Sequence, residues 1–217
     1  VYQRLMAGDD EEATELASQS LETMSLEQVY DEVLVPALAQ AQLDRHRQKL
    51  DEGRHALVLQ GIREITETLA EQQRDEDSAE ATAQTVRDAK GGTSGSPPSG
   101  NGKPRRTLPA DTTIDVLCLP AKSEADEIAG LMLARLLEPR GYRVTMSGTS
   151  ALTSEMVELA SPANAAAVVL SALPPKAALS VRYVLKRITA RHAGRGVIVG
   201  LWKNTRDLTK AGLGDFP

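Results

Sequence analysis

Four residues in one short stretch, Lys122, Ser123, Glu124 and Asp126, have types and spacing that could bind or act on a ligand. Ser171 and Trp202, farther along the chain, are the other candidates. Residues 119–129 join an apolar strand to an amphipathic helix, and α/β folds bind their ligands at such strand-to-helix loops. Ser123 opens the helix, whose free amides favour an anion, and Lys122 adds a positive charge beside them. On that reading the site takes a small polar or anionic ligand. On the other reading Ser123 only caps the helix, while Asp126 and Glu127 offset its dipole. Glu124 and Asp126 lie two apart on a helix and point in different directions, so they do not make an acid/base pair. No catalytic residue is expected.

Other chemistry lacks its residues. His46, His55 and His192 are the only histidines, and none stands at a metal-ligand spacing from another. No metal site is expected. Hydrolase, zinc-protease and dinucleotide motifs are missing from the sequence. Gly102-Lys103 resembles the end of a phosphate-binding loop, but Pro104 replaces the required Ser or Thr and no strand precedes the glycines. Cys118, the single cysteine, falls inside an apolar run and reads as a small core residue. Trp202 comes just after the last strand, either lining a pocket or anchoring the packing beneath the next helix.

The elements that position these residues divide by charge and by period. Residues 1–90 carry 9 Lys/Arg against 20 Asp/Glu, a net of −11. That acidity argues against nucleic acid as a partner, because phosphate contacts need a basic face. Residues 91–110 and 111–217 each carry a net of +3, so the two halves should attract weakly. The first half reads as helices: Tyr2–Ala7, one led by Asp9 and Glu12, one led by Ser25 and Gln28, and one from near Asp51. Ala13, Leu16, Ala17 and Leu21 share one face, and Val58, Ile62, Ile65 and Leu69 share another. Pro36 should bend or interrupt the third of these helices. Beyond Gln72 the last one turns polar and runs on into solvent or frays.

Residues 91–104 form a flexible Gly/Ser/Pro linker by composition. Strands and helices then alternate, with strands over residues 114–119, 142–146, 165–170 and 197–201, which requires a mainly parallel sheet. Loops 120–123 and 171–175 should face each other across its switch point if the order is 2-1-3-4-5. Helical residues Lys176, Arg182, Lys186, Arg187 and Arg191 make a basic face that either meets the acidic helical domain, an acidic partner or lipid head groups, or is simply solvated. The expected fold class is therefore multi-domain α and α/β. An N-terminal helical bundle spans 1–74, a charged helix end and linker span 75–110, and a flavodoxin- or Rossmann-like sheet spans 111–217. No apolar run approaches the roughly 18–20 residues of a membrane span, so this piece is expected to be soluble.

Two resemblances rest on particular runs of residues. Tyr30-Asp-Glu-Val-Leu-Val-Pro-Ala-Leu38, then Glu127-Ile-Ala-Gly-Leu-Met-Leu-Ala-Arg-Leu-Leu137, Gly141-Tyr-Arg-Val144 and Ser171-Ala-Leu173 are similar to the helical cap and Rossmann-like unit of cobalamin-binding proteins. That family carries a metal-ligating His in a D-x-H-x-x-G loop. Here Asp126 stands for the His and Ala129 for the Gly, and Leu201-Trp202 replaces a Gly-rich turn. The departures argue against a cobalamin cofactor and imply a domain that senses or braces; the alternatives are a cobalamin-binding module without axial His ligation and a protein-interaction scaffold. Separately, Tyr2-Gln-Arg-Leu-Met-Ala-Gly-Asp9, Ser25-Leu-Glu-Gln-Val-Tyr-Asp-Glu-Val-Leu-Val-Pro-Ala-Leu38 and Asp44-Arg-His46 resemble the cytosolic C-terminal extension of autoinducer-2 exporter (PerM-like) permeases. This resemblance covers mainly residues 1–70. It implies a non-enzymatic regulatory or sensory domain at the cytoplasmic face of a bacterial inner membrane. Its expected partners are the transmembrane part of the same polypeptide, placed before Val1, a small polar ligand and a second copy of the chain. A further strand and helix would then come after Pro217.

Overall fold

Side chains that satisfy free amides set the helix starts. The computed structural model describes residues 1–89, 107–109 and 112–203. Helix α1 (Tyr2–Ala7) ends at Gly8, whose left-handed φ of 81° favours a residue without Cβ. Asp9 accepts from the Glu12 amide at 3.2 Å to open α2 (Asp10–Leu21). A reciprocal Ser25–Gln28 capping box opens α3 (Leu26–Val29). Pro36 does not interrupt the helical path beyond α3. The chain widens into a π-helical turn (Tyr30–Leu34) and then continues as α4 (Val35–His46), so the wider turn lies immediately before Pro36, whose missing N–H removes a bond from the helical series. The Tyr30 hydroxyl, buried, donates to the Thr66 carbonyl at 2.8 Å.

Helix α5 (Glu52–Ala89) carries the expected stripe of Val58, Ile62, Ile65 and Leu69, all buried, and continues well past Gln72. On α2, Ala13 and Ala17 are buried, while Leu16 lies at the rim, 38% exposed.

The second half adds β1 (Ile114–Pro120), α6 (Glu124–Leu137), a 3₁₀ turn (Glu138–Arg140), β2 (Tyr142–Met146), α7 (Thr153–Leu159), β3 (Ala167–Ala172), α8 (Ala177–Arg191) and β4 (Val197–Leu201). These four strands form a parallel sheet in the order β2-β1-β3-β4. Strand β3 starts two residues later than its hydrophobic run. The carbonyls of Ala165 and Ala166 are taken by the Arg195 guanidinium at 2.6 and 3.2 Å.

Leu117, Leu119, Val168 and Leu170 face α7 and α8, while Val116, Cys118 and Val169 turn to the α6 side. Helix α6 is buried on two sides, as a helix apolar nearly all round must be. Toward the sheet it approaches closely at Gly130, where an added Cβ would lie 3.2 Å from the Met146 methyl. Away from the sheet, Ala125, Ile128, Ala129 and Met132 join Leu34, Leu38, Ile62 and Ile65 in one core. Charge alone led to weak attraction between the halves; the observed seam is apolar, with ion pairs along it. Among the described residues no helix is long and apolar enough to cross a membrane.

Candidate functional site

The loops after β1 and β3 do meet across the switch point, and Asp126 joins them. Its side chain sits in the first turn of α6 and is only 3% exposed. One carboxylate oxygen, Oδ2, accepts from the amides of Ser123 at 2.8 Å and Lys122 at 3.1 Å. The other, Oδ1, accepts from the Leu173 amide at 2.7 Å, across the crevice. Ser123 completes the capping box by accepting from the Asp126 amide at 3.3 Å. Burial pushes the Asp126 carboxyl above the usual carboxylate range, and the Ser123, Leu173 and Lys122 amides pull it back.

Ser171 extends the connection. It is fully buried, opposite Pro120 on one side and Gly200 on the other in the strand register. Its hydroxyl donates to the Asp126 carbonyl at 2.6 Å and accepts from the Trp202 indole N–H at 2.8 Å. The Trp202 amide donates to the Ala172 carbonyl at 3.1 Å. The indole lies against Gly200, where a Cβ would come within 2.7 Å of the ring, and it packs on the core shared by the bundle and α6. Trp202 thus packs against the bundle's core; the helix expected after it lies outside the described residues.

Lys122 and Glu124 occupy the exposed rim. Glu124 faces Arg63 of α5 at 3.7 Å, away from Asp126, so the two carboxylates diverge as their spacing requires. Around the rim the bundle reaches down. Gln42 donates to the Ser123 hydroxyl at 3.3 Å, and Arg63 pairs with Glu127 at 2.9 Å. Glu127 also accepts from the Thr149 amide at 2.9 Å, tying in the loop after β2. Arg135 makes a two-pronged pair with Glu67, both contacts at 2.6 Å, and reaches Glu138 at 2.8 Å. Arg74–Glu138 and Arg140–Glu27 continue the seam.

Sequence reasoning singled out these six residues but not the partners that hold them. The Leu173 amide is backbone and leaves no mark on residue type. Gln42, Arg63 and Glu67 lie far away in the chain and resemble any polar helix surface. Only Glu127, inside the singled-out stretch, carried a local signal.

Chemically, the pocket of free amides at the start of α6 holds the protein's own anion. The resemblance to cobalamin-binding modules puts the metal-ligating imidazole at Asp126. Its oxygens are committed to three amides in a closed pocket, so this donor set does not fit a corrinoid's cobalt. Among the described residues no cluster of three or more His, Cys, Asp or Glu could hold a metal ion. No family model matches this chain, and no curated protein matches it.

Proposed function

We propose that the chain is a non-enzymatic regulatory or sensory module whose helical cap and Rossmann-like sheet move or hold as one unit. One observation carries the reading. The buried Asp126 carboxylate fills the anion position at the crevice and links the loops after β1 and β3. A group committed in this way latches two loops, because backbone amides from both of them take its oxygens. A small polar ligand would meet Lys122 and Glu124 at the rim, beside Ser123, and would act by loosening or tightening the latch formed by Asp126, Ser171 and Trp202. The seam of Arg63, Arg135 and Arg140 would carry that change to the cap.

The wider assignment rests on the sequence resemblance over residues 1–70. It makes this piece the cytosolic domain of a bacterial permease of the autoinducer-2 exporter family, at the cytoplasmic face of the inner membrane. The expected result is that the coding sequence before Val1 specifies apolar spans. In that full-length protein, Asp126→Ala should change transport without changing membrane insertion. A parent chain without spans would reject the permease assignment. Retention of coloured cobalamin by the purified protein would favour a corrinoid-binding module over this reading.

A further inference from the structure

Helix α8 has one buried stripe, Ala177, Val181, Val184, Leu185 and Ile188, packed on the sheet. Its outward face is unusual in two respects. Leu179 and Tyr183, one turn apart, are 66% and 55% exposed. Lys176, Arg182, Lys186 and Arg187 surround them, and α8 contains no acidic residue. The Arg187 guanidinium lies 4.9 Å from the centre of the Tyr183 ring, which holds both side chains on the surface. Many arginines elsewhere find carboxylates, as in Arg4–Glu12, Arg63–Glu127, Arg140–Glu27 and Arg191–Glu158. Among the described residues these four cations have no such partner.

A surface of matching chemistry exists on the same chain. Between α2 and α5 runs a groove of about 500 Å³, lined by Glu15, Gln19, Leu21, Glu22, Gln72 and Glu76. Among the described residues Glu15, Glu22 and Glu76 pair with no cation, and Leu21 is the apolar residue in the groove's lining. The two surfaces cannot meet within one molecule: the bundle covers the α6 side of the sheet and α8 packs on the other side.

We propose that α8 docks on a second copy of this chain, its Leu179–Tyr183 ridge and flanking cations entering the acidic groove between α2 and α5. Every copy offers both surfaces, so the contact is head-to-tail, and its strength depends on salt. The proposal is independent of the latch reading above, because neither surface touches the Asp126 site.

The test is sedimentation equilibrium of the whole chain. Mass should rise with concentration at low salt and fall back as salt is added. Arg182→Glu with Lys186→Glu in one variant, and Glu22→Lys with Glu76→Lys in another, should each weaken self-association roughly tenfold or more. Mixing the two variants should restore it, since each then meets a surface of opposite sign. All four positions are at the surface, and circular dichroism melts would confirm that both variants fold. A wild-type chain that stays monomeric overturns the proposal, as does a mixture that does not reassociate. Monomers that pellet with phosphatidylglycerol vesicles, in a manner lost with the α8 variant, would overturn it in favour of a lipid surface.

Discussion

Removing the Asp126 carboxylate leaves the amides of Lys122, Ser123 and Leu173 without their acceptor, two of them at the helix start and one across the crevice. Buried donors without a partner cost about 1–3 kcal/mol each when water cannot reach them, and the first turn of α6 can recover some of that by relaxing. Asp126→Ala should therefore lower unfolding free energy by about 3 kcal/mol, a large loss for a single substitution. Asp126→Asn should cost less, about 2 kcal/mol, because one oxygen still accepts while the new NH₂ faces an amide. Urea denaturation of the three proteins checks both values. If Asp126→Ala unfolds at the wild-type midpoint, the latch does not hold the loops. The same arithmetic explains how a carboxylate is held here: its three bonds offset part of a burial cost that still leaves its pKa raised.

Where α4, α5 and α6 converge, His55 sits half-buried with its Nε2 enclosed and unpartnered. Burial first, then the Arg45 charge, holds its pKa below the ordinary 6.5, while Glu124 and Glu52 act in the opposite sense. The unfolded chain then binds a proton at a higher pH than the folded one. Stability is complete above about pH 6.5 and falls as pH drops toward the folded-state value. Thermal melts between pH 7 and pH 5 should show a shallower decline for His55→Gln than for the wild type. Parallel declines would mean that His55 is solvated in both states. The convergence of these helices was only partly legible in the sequence. The α5 stripe and the Ser25 and Ser123 caps could be read from local spacing, because period and capping act within a few residues. The π-helical turn before Pro36 was legible only as a disturbance at the proline, while the Tyr30 bond to Thr66 on another helix left no local sign. The direction of Trp202 could not be read either, because it depends on Ser171 and Gly200 on neighbouring strands.

At the scale of the whole molecule, a single apolar core runs from the bundle through α6, and a line of ion pairs closes its edge. The apolar part supplies most of the adhesion, since exposed pairs contribute little and salt weakens them. Arg135–Glu67 is the exception worth measuring. It is two-pronged, its side chains are 22% and 38% exposed, and Arg135 also reaches Glu138. Glu67 is correspondingly held below the usual carboxylate range, chiefly by its hydrogen bond to Arg135. Arg135→Met keeps the aliphatic stem against the seam and removes only the charge, so it should lower stability by about 1–2 kcal/mol in dilute buffer. Raising salt from about 0.1 M to about 1 M shortens the screening length from roughly 10 Å to roughly 3 Å, and the gap between variant and wild type should narrow. Chemical denaturation with urea, which adds no ions, gives that gap at each salt concentration. A gap that stays constant would place the contribution of Arg135 in packing, and the seam between cap and sheet would then be apolar throughout.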